Sequence, residues 1–417
     1  MAMKNYLRKR SILPDMITWL WALLWFMLPV SKRGTTVVLW LLGLCVIIQA
    51  IIQKPQINRK QSITGLLLLI LFLWHANSLL FDPNFEEVKA SLVRKLSFIV
   101  FPVILILGNS SIKDSQKWAL RGFYAGLIIA GIQMLLRAII RSFYGFDLDY
   151  WMYHEFATPF QFGAIYFSWY LSIALISLIY QRQEPYVERF RYHLLIFFLL
   201  LLLLAASKLF VVVTGSVVIV KVLSKLQKKK RIRALILLLI LIIGGTVPVY
   251  KRISELNNLN LQIAFQEEYT YDTPFNGVTL RLFQWRMAFE ILNDKDAWLQ
   301  GTGIGSRQEI LNSYYKKYNV YTGNPRLGDR GYLGYNFHNQ FAETTVGTGI
   351  PGVVILLLIL VYVFTSLRRQ LFFPLFVYII TVLFFMTESV LERQAGIMMF
   401  CLIILTNRNG LNFYNYD

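Results

Sequence analysis

A chain of 417 residues that is 56% hydrophobic, with a mean hydropathy of +0.51, holds more apolar sequence than a soluble core of that size requires, which argues against a soluble enzyme. The formal net charge of +19 would suit a nucleic-acid binder, but the cations sit in short segments between apolar runs, the pattern of positive-inside membrane topology. Cys45 and Cys401 both lie in apolar segments, so neither a disulfide framework nor a cysteine-based metal site is indicated.

Lys4, Arg8, Lys9 and Arg10 precede an apolar stretch, Leu13 to Val30, that lacks a small-residue cleavage site and reads as an uncleaved first span. Further spans are predicted over Gly34–Gln53, Ser62–Leu80, Arg94–Gly108, Trp118–Arg141 and Pro159–Tyr180. A largely apolar run of 31 residues follows, His193 to Leu223, with Lys208 close to its middle. A bilayer core takes roughly 20 helical residues, so this run is long for one span and short for two. Arg182, Arg189 and Arg191 before it and Lys225, Lys228, Lys229, Lys230, Arg231 and Arg233 after it put both ends on the cytoplasmic side. The run is therefore predicted to be a helical hairpin whose tip, Ser207-Lys208, carries a cation to the opposite face.

A ninth span is predicted at Ala234–Tyr250, and three more at Gly349–Leu367, Leu371–Glu388 and Gln394–Thr406. The expected architecture is an all-α polytopic membrane protein of about 12 transmembrane helices, with both termini cytoplasmic. Residues 1–250 hold the first nine spans, 251–338 a large loop on the outer face between spans 9 and 10, and 339–417 the last three spans and a cytoplasmic tail. The aromatic content of the 88-residue loop, Lys251 to His338, argues that it is folded. Helices are predicted in it at Ile253–Gln266 and Leu280–Asn293, the second with Leu282, Trp285, Phe289 and Leu292 at helical spacing. Gly301-Thr-Gly303-Ile-Gly305 has the wrong spacing for a dinucleotide fingerprint and reads as a tight turn.

Candidate chemistry concentrates late in the chain. If the second loop helix starts with Thr279 as its cap, Arg281 falls in the first turn, where the helix dipole disfavours a cation but binds phosphate. An anion site explains it better than a stabilising role, the alternative being a surface or ion-paired arginine. His338 lies where the loop re-enters the membrane, at the positive end of a helix that favours a neutral, proton-accepting imidazole; the alternative is a capping or interfacial histidine. Glu343 is a second-tier candidate for orienting that histidine or an acceptor. Glu388, Glu392 and Arg393 cluster between the last two spans and read either as a pathway or as a local ion pair, outside the catalytic set. His75 is expected to make a packing hydrogen bond, while His193 and His154 carry no motif. Asp147-Leu-Asp149 looks like the DxD of metal-dependent glycosyltransferases, but solvated charge is the better reading; no metal and no cofactor are expected.

His338-Asn339, followed after nine residues by Gly349-Ile350-Pro351-Gly352, resembles the C-terminal signature of the bacterial O-antigen ligases and their polymerase relatives. Arg281-Leu-Phe-Gln-Trp285 and the Gly301/Gly303/Gly305 turn are similar to further features of that family. The resemblance implies a GT-C-like fold and transfer of a glycan from undecaprenyl diphosphate to a hydroxyl acceptor at the periplasmic face of the inner membrane. It implies His338 as base, Arg281 and Lys208 on the diphosphate, and Asn339, Glu343 and Trp285 in supporting roles. The partners it implies are the lipid-linked glycan donor, lipid A-core or a growing glycan as acceptor, and membrane lipids, with no nucleic acid. The family usually carries Ser-Arg where this chain has Ser207-Lys208, so a point-like ammonium replaces a forked guanidinium. Ligation to lipid A-core is favoured over chain polymerisation. A lipid-linked glycan transporter is the alternative of another class, weakened by the absence of matching half-repeats.

Overall fold

Each predicted span that falls within the described residues coincides with a helix. The structure is a computed structural model that describes residues 12–53, 55, 57, 59–108, 112, 115–145, 147–157, 163–181, 183, 185–225, 260–324, 326, 328–367 and 372–406. The predicted span Ala234–Tyr250, the cations at 226–233 and those of the N-terminus lie outside them. In the first half the helices are α1 (Ile12–Met27), α2 (Lys32–Ile52), α3 (Arg59–Ala76), α4 (Phe85–Lys95), α5 (Ser97–Leu107), α6 (Gln116–Phe143), α7 (Tyr153–Ala157) and α8 (Gly163–Tyr180). In the second half they are α9 (Pro185–Ala205), α10 (Lys208–Lys225), α11 (Thr279–Asp294), α12 (Arg307–Lys317), α13 (Gln340–Leu367), α14 (Phe372–Thr387) and α15 (Gln394–Thr406).

Among the described residues, six helical stretches are long and apolar enough to cross a membrane, and three shorter apolar helices accompany them. The protein is thus an all-helical membrane protein in its described part. Helix α1 packs on α2 and α6, α3 on α5 and α13, and α15 on α5. The α1–α6 contact is close because Gly122 and Gly126 face it: a Cβ there would stand 2.2 and 2.3 Å from the carbonyl oxygens of Ala22 and Phe26. Helix α8 is the most enclosed of the six, 78% buried, with α9, α10 and α14 packed around it.

The predicted hairpin is present as α9 and α10, turning at Ala206 with φ of 48°, and Lys208 opens its second arm. Two spans start earlier than expected. The apolar α5 is preceded directly by α4, whose Asn84 cap, acidic first turn and basic last turn hid it among polar residues. Helix α13 begins at Gln340, ahead of the signature glycine, and bends at Gly349.

The described part of the long loop, within 260–338, is folded around a core of Tyr269, Phe283, Met287, Ile291, Leu311, Tyr315 and Phe337, which Val346 of α13 joins. Of the helix expected at Ile253–Gln266, the described part is a single 3-10 turn, Leu261–Phe265. Helix α12 was not anticipated, and its buried Leu311, Tyr314 and Tyr315 complete the core. Of the stripe expected on α11, Leu292 is buried in the core, while the rest of the buried face lies beside the expected positions. Phe283, Met287 and Ile291 face the core, Phe289 is exposed, and Leu282 and Trp285 are half-buried.

Candidate functional site: a cleft between the loop and the membrane helices

Helix α11 places Arg281. The Asn276 side chain accepts the N–H groups of Val278 and Thr279, both at 2.9 Å, while the Thr279 hydroxyl accepts the Asn276 N–H at 2.9 Å. Thr279 is therefore the first residue of α11 and not its cap, which is Val278, and the Asn276–Thr279 turn leads into the helix. Arg281 falls in the first turn as expected, and its guanidinium donates from Nη1 to the Gly277 carbonyl at 2.5 Å and from Nε to the Thr387 carbonyl at 3.1 Å. It is thus fixed between the loop and the end of α14. The hairpin tip reaches the same place. Ser207, Lys208 and Leu209 line a cavity of about 480 Å³ together with Arg281, Leu282, Trp285 and Thr387. Trp285 Nε1 is buried and bonds to nothing among the described residues.

A second cavity, of about 630 Å³, adjoins the first and is lined by His338, Glu388, Arg393, Tyr335, His154 and Tyr166 among others. Tyr153, Ile165, Gly277 and Arg281 belong to both. Lys208, Arg281 and His338, distant in sequence, are thereby brought to adjoining cavities with Arg281 in the common wall.

His338 is held in a left-handed conformation, φ 45°, which costs a side-chain-bearing residue on the order of 1 kcal/mol or more. Its N–H donates to Asn336 Oδ1 at 3.0 Å, and directly after it Asn339 accepts the N–H groups of Phe341 and Ala342 at 2.9 and 3.1 Å. The signature asparagine is thus the cap of α13, and His338 itself is not. His338 Nδ1 lies 3.1 Å from Glu388 Oε2, and the Tyr335 ring meets the imidazole edge-on at 5.9 Å. Burial raises the Glu388 pKa, but the His338 bond and the charges of His338, Arg281 and Arg393 outweigh it and hold the carboxyl below its usual range.

Glu343, a candidate for orienting His338 or an acceptor, makes no bond to the imidazole. Only 3% exposed, it pairs with Arg307 Nε at 2.5 Å and accepts from Ser389 Oγ at 3.0 Å and the Phe337 N–H at 3.3 Å. The acid on His338 is Glu388, one of the residues set aside on sequence, and the spacing of 50 residues between them offered no rule to pair them. Glu392 likewise makes no local pair: it binds Lys95 Nζ at 2.8 Å and the Arg307 guanidinium. Lys95, Glu392, Arg307 and Glu343 form an alternating buried row, and the last three line a separate cavity of about 750 Å³.

The glycine turn is explained by contact rather than by ligand binding. Asp82 accepts the N–H groups of Gly305 and Ser306 at 2.6 and 3.1 Å and the Ser306 hydroxyl at 2.5 Å, and a Cβ on Gly303 would stand 2.2 Å from its carboxylate. Thr302 donates to the Val346 carbonyl at 2.7 Å, and Ile350 to that of Trp298 at 2.7 Å, so the turn clasps the bend of α13. His75 makes the packing bond expected, to the Leu71 carbonyl at 2.7 Å, and His193 is exposed within α9. His154, given no role on sequence, is on the His338 cavity. Asp147 accepts the Asp149 N–H at 2.9 Å and caps a 3-10 turn.

No curated protein matches the chain. The O-antigen ligase family matches residues 193–357, from the start of the hairpin's apolar run, through the long loop, to the helix beyond the signature glycines. Every residue that carries the resemblance lies inside this stretch, over which the chain is similar to the O-antigen ligase family.

Proposed function

We propose that the protein transfers a glycan from undecaprenyl diphosphate to a hydroxyl acceptor at the periplasmic face of the inner membrane, by ligation of O-antigen to lipid A-core. The observation that carries this reading is the meeting of Lys208, Arg281 and His338 on adjoining cavities beside the folded loop. With its Nδ1–H donating to Glu388, the His338 imidazole keeps Nε2 open to take the proton of the acceptor hydroxyl. The acceptor oxygen then attacks the anomeric carbon as the bond from that carbon to the diphosphate oxygen breaks. The electron pair leaves with the lipid diphosphate, whose growing charge faces Lys208 and Arg281. One base and no nucleophilic carboxylate in this scheme give a single displacement, with inversion at the anomeric carbon.

The test is transfer by the purified full chain in proteoliposomes, supplied with undecaprenyl diphosphate-linked O-antigen and purified lipid A-core. Product formed without a membrane gradient supports the reading, whereas translocation of the lipid-linked glycan without bond formation would replace it with a transporter. A deletion strain separates ligase from polymerase. Loss of a ligase leaves long lipid-linked polymer beside bare lipid A-core; loss of a polymerase leaves single repeat units.

A further inference from the structure

We propose that the Tyr166 hydroxyl is a binding contact for the acceptor glycan, on the His338 side of the cleft; this rests on the glycosyl-transfer reading above. Tyr166 lies in the first turn of α8, is only 4% exposed, and lines the cavity that holds His338 and Glu388. Its ring cannot swing away. It meets Phe384 edge-on at 5.3 Å, and the same phenyl ring is flanked by Trp169 at 5.2 Å and Phe210 at 5.1 Å.

The hydroxyl has no hydrogen-bond partner among the described residues. Other buried tyrosines in the same bundle do have one: Tyr170 donates to the Ala395 carbonyl at 3.1 Å and Tyr124 to Ser177 Oγ at 2.9 Å. An orphaned buried hydroxyl costs about 1–3 kcal/mol, and a phenylalanine would fill the same aromatic cage without that cost. Its position in the cavity wall accounts for the exception: the bond is made when the cavity is filled.

The chemistry of the cavity selects the occupant. Phosphate charge is matched by Lys208 in the neighbouring cavity and by Arg281 in the wall the two cavities share. Here the groups on offer are an imidazole, a carboxylate, the Arg393 guanidinium, the half-exposed Tyr335 ring and a hydroxyl that can both donate and accept. A sugar ring, with hydroxyls around its edge and an apolar face for an aromatic side chain, satisfies that set.

The experiment is steady-state transfer by Tyr166→Phe in proteoliposomes, with undecaprenyl diphosphate-linked O-antigen as donor and purified lipid A-core as acceptor. We expect the acceptor KM to rise about 3- to 10-fold, with smaller changes in kcat and donor KM, and a thermal midpoint equal to or above wild type. An unchanged acceptor KM, a rise confined to donor KM, or a lowered midpoint with unaltered kinetics would each overturn the assignment. A wild-type protein that makes no product would instead bring down the transferase reading itself, and this assignment with it.

Discussion

Removing the His338 imidazole is the most direct challenge to the site. If it takes the acceptor proton, His338→Ala should lower the transfer rate by about 10²- to 10⁴-fold while the protein still inserts and melts as a folded unit; turnover near wild type would exclude it as the base. Glu388→Gln keeps the shape of the pair but removes its charge. The folded-state pKa of Glu388 is depressed, so the stability it contributes is present above the ordinary carboxylate range and lost as pH falls through the lower, folded-state value. The difference in melting temperature between wild type and Glu388→Gln should therefore be full above about pH 5 and shrink in more acidic buffer. Lys208 invites the opposite kind of change. Lys208→Arg restores a two-pronged donor and should lower the donor KM several-fold, whereas Lys208→Ala should raise it more than the acceptor KM. At this scale the sequence was legible where a motif existed: His338 and Arg281 could be named from the signature and from a helix start. Glu388 could not, because its link to His338 is made by the return of α14 to the same rim and leaves no trace in spacing. The orienting role went to Glu343 on proximity in sequence, and the structure gives that acid to Arg307.

Among the elements, the hairpin was readable because length and flanking charge gave the same answer, and α9 and α10 turn within two residues of the expected tip. Helices α4 and α12 were not, since both bury charged or tyrosine-rich faces that look like loop until their partners are known. The signature glycine has a role that only the packing of elements reveals. Gly349 has φ of 71°, and a Cβ there would stand 2.3 Å from the Leu299 carbonyl oxygen, where the glycine turn crosses α13. Gly349→Ala meets a backbone atom in a conformation that L-residues disfavour by about 1–2 kcal/mol, and the clash adds to it. We expect a loss of at least about 2 kcal/mol, read as a lower melting temperature in detergent, together with weaker transfer as α13 and its cap at Asn339 shift. A variant as stable and as active as wild type would show that the bend tolerates a side chain.

For the whole molecule, the question is what holds the long loop to the apolar helices firmly enough to keep a cleft between them. The buried row Lys95–Glu392–Arg307–Glu343 joins α4, the 390–392 turn, α12 and α13, and its two cations and two anions balance. No composition argument could anticipate it, because a lysine at 0% exposure is expected only when its partner is already known. Burial opposes the charge on Glu392, but Arg307 and Lys95 outweigh it and hold its pKa below the usual carboxylate range. Arg307→Met would leave Glu343 and Glu392 buried with only Lys95 to balance them, a loss of about 3–5 kcal/mol at neutral pH. The sign of its pH dependence follows. In wild type the depressed carboxyl contributes stability that is complete above its ordinary pKa and declines in acid. In the variant the orphaned acids favour protonation, so folding is helped as pH falls. The gap between the two should be widest near pH 7 to 8 and narrow towards about pH 4, measured as melting temperature across that range in one detergent. A gap that stays flat with pH would mean the row is not what ties the loop down. Because Ser389, which donates to Glu343, directly follows Glu388, the same variant should also slow transfer: loosening the row releases the acid that orients His338.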